Sequence, residues 1–174
     1  VWCDGSLSVN FAKYTYSGGS WSAGTTRVIY TGAATPSAQM VFDGTRVVIT
    51  LMDGTSVGLF ERDAADTTTT TRTGTGTVTA SCVTYDNDSN VWIAGGGAPG
   101  DLYVRKFVRS TLTWASAELV DTDNPGICAM RRTGGNTIAI AYQDLGGGGT
   151  RFDQTYNNVA PSSPTWVNTD NVGA

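Results

Sequence analysis

The residues of this sequence that could perform acid–base chemistry are aspartates. The candidates for a catalytic pair are Asp43, Asp86, Asp101, Asp144 and Asp153. Two such carboxylates on either side of a sugar linkage could hydrolyse a glycosidic bond. However, Asp43, Asp86 and Asp144 stand in or beside predicted hairpin turns, where an aspartate often caps its own backbone. The turn interpretation is therefore favoured, and no catalytic residue is assigned.

The chain contains no histidine, and this limits its chemistry further. Without histidine, Ser-His-Asp and Cys-His catalysis, histidine-ligated zinc and a histidine general base are all excluded. A non-catalytic protein is the favoured interpretation, and a glycosidase is the alternative.

One turn has the residue spacing of a cation site. The sequence DNDSN places Asp86, Asp88 and Asn90 at alternate positions, as at the start of a calcium-binding loop. An EF-hand loop also requires a glutamate at its twelfth position, and that position is Gly97. The EF-hand match fails, but the three residues remain candidate ligands for a cation shared with a neighbouring loop. No cofactor is predicted.

Aromatic residues beside glycine-rich stretches form the candidate ligand-binding face. Trp92, Tyr103 and Tyr142 lie near GGGAPG and LGGGGT, together with Asp101 and Asp144. Aromatic rings next to polar loops suit stacking against sugar rings. Neither stretch is followed by the Lys-Ser/Thr of a phosphate-binding loop. The alternative is that the three aromatic residues belong to strands in the core.

The composition indicates β structure and excludes two kinds of partner. Gly and Thr are abundant, whereas the good helix formers Lys and Glu occur only twice each, which favours strands. The net charge is −4 and there is no basic patch, so no nucleic-acid partner is expected. No apolar run approaches the ~18 residues of a transmembrane helix, so no membrane insertion is expected.

A repeat of nearly constant length organises the chain. Phe11, Phe60, Phe107 and Phe152 are each followed two residues later by a long polar side chain, at spacings of 49, 47 and 45 residues. Between them, β-branched runs alternate with turns such as DGT, which is the signal of β-hairpins. Four antiparallel strands in such a repeat are typical of a β-propeller blade. The predicted fold is therefore all-β and β-propeller-like, with four-stranded antiparallel blades.

The repeats predict a single propeller segment, 1–174, with about three and a half blades of roughly 46 residues. A blade remnant covers 1–31, and the repeats cover about 32–78, 79–121 and 122–174. The sequence does not begin with Met, and an incomplete ring would expose strand edges that invite pairing. The chain is therefore expected to belong to a longer polypeptide or to form a homo-oligomer.

The three cysteines are Cys3, Cys82 and Cys128, and they show no CxxC spacing. A zinc site is therefore not indicated. Cys82 and Cys128 stand 46 residues apart, one repeat length, and so occupy equivalent positions in neighbouring repeats. Three buried free thiols are expected, because cysteine is often fully buried. One disulfide is the alternative.

A Ser/Thr-rich turn that ends in tryptophan recurs as YSGGSW, RSTLTW and PSSPTW, at Trp21, Trp114 and Trp166. In the remaining repeat the polar run Thr67–Thr71 takes its place. Each ring is expected to cover the edge of the outermost strand and to pack between neighbouring blades.

At these turns the sequence resembles the sialidase-type β-propellers with Asp-box (BNR) repeats, whose motif is Ser-x-Asp-x-Gly-x-x-Trp. The three turns keep Ser or Thr and the Trp, none keeps the Asp, and only the first keeps the Gly. The resemblance implies the propeller fold. It does not imply sialidase activity, because that family's arginine triad, Tyr–Glu pair and acidic Asp have no assignable positions here.

The loose Gly/Thr-rich repeats are also similar in style to those of bacteriophage tail and fibre proteins and of secreted bacterial surface proteins. Together with the absence of histidine, they predict a non-catalytic recognition or structural module that binds a glycan or a surface protein. Its expected location is extracellular or on a virion surface. The alternative is a fragment of a sialidase-like glycoside hydrolase.

Overall fold

The computed structural model describes residues 1–32, 37–53, 56–63, 69–72, 79–96, 100–122, 125–134, 137–144, 150–157 and 166–171. Within these ranges every regular element is a β-strand, and every strand pair is antiparallel. The prediction of an all-β, antiparallel fold is confirmed. The chain divides into two compact units, Val1–Thr73 and Gly74–Ala174.

The first unit begins with a three-stranded sheet and a separate hairpin. The strands are β1 (Trp2–Cys3), β2 (Ser8–Phe11), β3 (Tyr14–Ser17), β4 (Ser20–Ala23) and β5 (Arg27–Thr31). The sheet has the order β1-β2-β5, and β3 pairs only with β4. The chain therefore leaves the sheet after β2, forms the β3–β4 hairpin and returns as β5, which is the predicted outer strand.

The second sheet of this unit has four strands in chain order: β6 (Ser37–Phe42), β7 (Arg46–Asp53), β8 (Ser56–Asp63) and β9 (Thr69–Arg72). The β6–β7 turn depends on Asp43, whose Oδ1 accepts hydrogen bonds from the amides of Thr45 (2.8 Å) and Arg46 (2.6 Å). Gly44 has a φ of 94°, which glycine adopts without strain. This explains why an Asp-Gly pair marks the turn. The predicted run Thr67–Thr71 lies only partly within the described residues, and its last three residues belong to β9.

The core of the first unit lies between its two larger sheets. The buried residues that form it are Val9, Phe11, Ile49, Leu51 and Phe60. Val9 and Phe11 alternate along β2, and Ile49 and Leu51 alternate along β7, so each pair points to the same face of its sheet. Burial of such side chains is the main favourable term for this unit.

The second unit contains a five-stranded and a four-stranded sheet. The first is formed by β10 (Thr79–Tyr85), β11 (Val91–Gly96), β12 (Leu102–Val108), β13 (Thr113–Trp114) and β14 (Glu118–Asp121). Both β13 and β14 pair with β12. They occupy the position of one outer strand, interrupted at 115–117.

The other sheet of this unit has four strands in chain order: β15 (Pro125–Gly134), β16 (Thr137–Asp144), β17 (Thr150–Asn157) and β18 (Trp166–Asn171). The core of the unit joins side chains of both sheets, namely Cys82, Trp92, Ala94, Leu102, Val104, Cys128, Ile138, Ile140 and Tyr142. The first strands of the last three sheets begin at Ser37, Thr79 and Pro125, spacings of 42 and 46 residues.

The repeated tryptophans have different environments. The Trp114 ring packs edge-on against Phe107, with the ring centroids 5.3 Å apart, and the Arg105 guanidinium lies 5.5 Å from the Trp114 ring centroid. Trp21 is 70% exposed, so the prediction that it covers a strand edge is wrong. The β3–β4 hairpin carries this ring away from the three-stranded sheet. The side chain of Trp166 lies outside the described ones.

The core assignment predicts how two apolar substitutions will differ. Ile49→Ala removes a fully buried side chain and should lower the free energy of unfolding by about 2–5 kcal/mol. Val28→Ala removes a side chain that is largely exposed and should change it by less than about 0.5 kcal/mol. Urea unfolding followed by circular dichroism measures both. Equal effects would contradict the assignment of Ile49 to the core.

Candidate functional site

The predicted cation turn is built around one buried carboxylate. Oδ1 of Asp86 accepts hydrogen bonds from the amides of Asp88 (2.9 Å) and Asn90 (2.9 Å). Oδ2 accepts from Asn90 Nδ2 (2.9 Å) and Trp92 Nε1 (3.0 Å). Each oxygen therefore has two donors within the protein. The carboxylate therefore holds the turn together, which is the capping role expected of an aspartate in a hairpin turn.

Two arginines hold this turn from outside. The Arg109 amide donates to Asn90 Oδ1 (2.9 Å), and Arg109 Nε donates to the carbonyl oxygen of Ser89 (2.8 Å). From the next sheet, Arg132 Nη1 donates to Asn87 Oδ1 (3.0 Å). The described residues contain no group of three or more acidic or cysteine side chains that could hold a metal. The structure thus gives Asp86 and Asn90 structural contacts, while Asp88 is exposed.

The three aromatic residues of the predicted ligand-binding face each donate a hydrogen bond to a carboxylate. Trp92 donates to Asp86. Tyr103 Oη donates to Asp101 Oδ2 (3.1 Å), and Tyr142 Oη donates to Asp121 Oδ2. A buried indole N–H or phenol O–H requires such a partner, so the acidic neighbours of these rings have a structural explanation.

The structure does not bring the five predicted residues to one place. Trp92 contacts the 86–90 turn, whereas Asp101 and Tyr103 lie toward the opposite end of the same sheet. Trp92 and Tyr142 are buried in the core. For these two residues the structure agrees with the alternative to a ligand-binding face, namely that they belong to core strands. Tyr103 and Asp101 are partly exposed, and Asp144 lies in β16, but its side chain is outside the described ones.

A small pocket opens where the outer strand is interrupted between β13 and β14. Lys106, Ser116 and Glu118 line part of it. The Lys106 ammonium lies 4.9 Å from the Trp92 ring centroid, and the residue is only 6% exposed. Burial raises the pKa of Glu118, and the positive charge of Lys106 lowers it in part. The indole and the carboxylate thus stabilise a buried cation within the sheet.

Among the described side chains, three strongly exposed aromatic residues lie together elsewhere, on the β3–β4 hairpin. Tyr14, Tyr16 and Trp21 are 58%, 59% and 70% exposed. The register pairs Tyr16 with Trp21 and Tyr14 with Ala23, which places these four side chains on one face of the hairpin. The ring centroids of Tyr16 and Trp21 are 5.1 Å apart. We call Tyr14, Tyr16 and Trp21 the aromatic face.

The opposite face of the hairpin is formed by small hydroxylated residues. The register pairs Thr15 with Ser22 and Ser17 with Ser20. The turn is Gly18–Gly19, with φ values of 60° and 83°, as a two-residue type I′ hairpin turn requires. At the base, the Gly24 amide donates to the carbonyl oxygen of Lys13 (2.7 Å). This hydrogen bond and the tight turn fix the register that places the aromatic face on one side of the hairpin.

Sequence reasoning missed the aromatic face because it treated Trp21 as a packing residue of a strand edge. The signal that identifies it is local. Tyr at alternate positions, followed by Gly-Gly and then Trp, predicts a two-residue hairpin turn with Tyr16 opposite Trp21. No charged residue occurs in 14–26, so the hairpin has aromatic and hydroxyl groups but no ionised side chain.

A comparison with protein-family models finds no match to this chain, and a search of the curated proteins finds none either. Among the described residues no helix is long and apolar enough to span a lipid bilayer.

The buried carboxylate of Asp86 predicts that substitutions at Asp86 and Asp88 will affect stability differently. Asp86→Ala leaves the donors of Trp92 and Asn90 without their acceptor, which should cost roughly 2–4 kcal/mol of unfolding free energy. Asp88 lies two residues further on and its side chain is exposed. Asp88→Ala should therefore lower the free energy of unfolding by less than about 1 kcal/mol. Urea unfolding of both variants provides the measurement. A calcium-dependent rise in stability that Asp88→Ala abolishes would instead restore the cation hypothesis.

The Tyr103–Asp101 hydrogen bond predicts a perturbed titration. The bond to Asp101 raises the pKa of the Tyr103 phenol above its ordinary value of 10.0, with burial and the aspartate charge adding to it. Asp101→Asn should lower that pKa, because the carboxylate no longer favours the neutral phenol. The tyrosine ring carbon signals in a pH titration by NMR, assigned with Tyr103→Phe, give both values. An unchanged Tyr103 pKa in Asp101→Asn would contradict this cause.

Proposed function

We propose that this chain is a non-catalytic recognition module that binds a glycan through the aromatic face of the β3–β4 hairpin. The observation that carries the proposal is the exposure of Tyr14, Tyr16 and Trp21 on one side of a two-stranded element. Large exposed apolar patches on soluble proteins commonly mark binding sites.

The position of the aromatic face supports a binding role over a role in folding. Residues of β3 and β4 are exposed along their whole length, so the rings contribute little to a core. An isolated two-stranded hairpin is only marginally stable in water, and its rings would gain from burial against a ligand. Tyr and Trp supply large contact areas at low conformational-entropy cost, with Ser and Gly as adaptable neighbours.

The chemistry of the hairpin favours a glycan over a protein. A sugar ring presents apolar C–H faces rimmed by hydroxyls, and therefore fits flat aromatic rings next to hydroxyl groups. The two tyrosine hydroxyls provide such groups on the aromatic face. Protein interfaces are also enriched in Met and Arg, and residues 14–26 contain neither.

The proposal extends to the scaffold. Antiparallel sheets of four or five strands that follow one another in chain order, with first strands 42 and 46 residues apart, support a β-propeller. The Ser/Thr-rich Trp turns would be its degenerate Asp-box repeats. On this proposal each sheet is a blade, and further copies of the chain or the rest of a longer polypeptide complete the ring. The location would be extracellular or on a virion surface, where glycans are displayed.

The non-catalytic part of the proposal is supported by the contacts of the acidic side chains. Asp4, Asp86, Asp101 and Asp121 each accept at least one hydrogen bond from a neighbouring side chain. They are therefore engaged in turn and strand contacts. A glycosidase would need a carboxylic acid and a carboxylate facing a shared space.

Glycan binding by matched hairpin variants tests the proposal. The unmodified chain is screened on a glycan array, and the affinity for the bound sugar is measured by isothermal titration calorimetry. Trp21→Ala and Tyr16→Ala should each weaken binding about tenfold or more, because loss of an aromatic contact costs on the order of 1–3 kcal/mol. Ser22→Ala, on the opposite face, is the control and should leave the affinity unchanged.

Three outcomes would overturn the proposal. The first is no binding to any glycan by the folded chain, and the second is binding that Trp21→Ala leaves intact. The third is release of reducing sugar from a bound glycan, which would favour the glycosidase alternative. Capture of a protein partner that depends on Trp21 would keep the aromatic face as a binding site but replace the ligand class.

A further inference from the structure

Two buried cysteines of the second unit lie side by side. Cys82 belongs to β10 and Cys128 to β15, the first strands of two different sheets. Their exposed fractions are 1% and 2%, and neither forms a disulfide in this structure. A single buried cysteine behaves as a small apolar side chain, but two at one position of a sheet-to-sheet contact can also react with each other.

The contacts of the two sulfurs bring them to the same point. Cys82 Sγ donates to the carbonyl oxygen of Ala94 (3.7 Å), and Cys128 Sγ donates to the same oxygen (3.5 Å). The two thiols are also in hydrogen-bond contact with each other. The shared acceptor and the contact between the two thiols place the sulfurs beside each other, which is the first condition for a disulfide.

We propose that Cys82 and Cys128 are an oxidisable pair that forms a disulfide between the two sheets of the second unit. The oxidant is a small-molecule disulfide such as oxidised glutathione. Cys3, which is half-buried in the first unit, takes no part. The crosslink is independent of glycan binding, because it lies in the unit that does not carry the aromatic face.

The reaction balances as two successive thiol–disulfide exchanges. One cysteine loses its proton, and its sulfur attacks the small disulfide, giving a mixed disulfide and one released small thiol. The second cysteine then loses its proton and attacks the protein sulfur of the mixed disulfide, which releases the second small thiol. The protein is oxidised by two electrons, the small disulfide is reduced, and the two cysteine protons leave on the two small thiols.

The surroundings of the pair set its reactivity. Burial raises the pKa of the Cys82 thiol well above its usual range, and the neighbouring Cys128 raises it further. The thiolate is the reactive species, so little of it is present at neutral pH and the exchange should be slow. A solvent-exposed thiol would react faster, but it would lack a second cysteine beside it with which to form the crosslink.

Peptide mapping of the oxidised chain tests the pair directly. The full 174-residue protein is equilibrated with oxidised glutathione, free thiols are alkylated at low pH, and the digest is analysed without reduction. We expect a Cys82–Cys128 linked peptide, a loss of about 2 Da from the intact chain, and an alkylated Cys3. Three alkylated cysteines after complete equilibration, or a crosslink that includes Cys3, would overturn the proposal.

Variants and thermal unfolding give a second readout. Cys3→Ser should still form the crosslink, whereas Cys82→Ser and Cys128→Ser should lose it and keep a single glutathione adduct or a free thiol. The oxidised wild-type chain should melt roughly 8–16 °C above its reduced form, because the crosslink closes a loop of 46 residues. The wild-type comparison needs no mutation, so a variant that fails to fold does not affect it. If the crosslinked chain had the same melting temperature as the reduced chain, the disulfide would not fit the folded structure without distortion, and the proposal would be wrong.

Discussion

Antiparallel pairing joins each described strand to a neighbour by backbone hydrogen bonds, but it leaves each sheet with two faces. A sheet gains stability when at least one of these faces is removed from water. The central strands show how strictly this constraint acts. In β11 the first five residues are buried on both faces, because neighbouring strands cover the edges and other side chains cover the faces. In β3 and β4 no residue is buried. The contrast separates strands that pack into a core from the β3–β4 hairpin, whose side chains stay exposed.

A recurring device lets such short strands turn sharply. Asp4, Asp43 and Asp86 each stand at a hairpin turn and accept hydrogen bonds from amides two to four residues ahead. In two of the three, the second oxygen also holds an Asn side chain, Asn10 or Asn90. The hydrogen bond from Asn10 keeps the pKa of Asp4 below its ordinary value. The turns are therefore fixed by aspartate carboxylates. The residue with positive φ is Gly44 in the Asp43 turn, but Leu7 and Ser89 in the other two.

The strands and turns of this fold could be predicted from the sequence, whereas the environments of individual aromatic rings could not. The β-branched runs and the turns such as DGT correctly predicted antiparallel strands joined by hairpin turns, because both signals are local. Trp92 and Trp21 are both tryptophans in strands, yet one is buried against Asp86 and the other is exposed. That difference depends on which sheet covers each strand, and no local pattern contains this information. The β3–β4 hairpin was missed for a different reason: its Gly-Gly turn is a local signal, but the repeat pattern assigned Trp21 to the edge of an outer strand.

The scarcity of lysine has a practical consequence for anyone who attaches this protein to a surface. Its side-chain primary amines are those of Lys13 and Lys106. Lys106 is enclosed against the Trp92 ring, so reagents that couple to amines will reach Lys13 and the terminal amine first. Lys13 is exposed and directly precedes the β3–β4 hairpin. Amine coupling to a sensor chip or a dye would therefore fasten the molecule beside its aromatic face and hinder access to it.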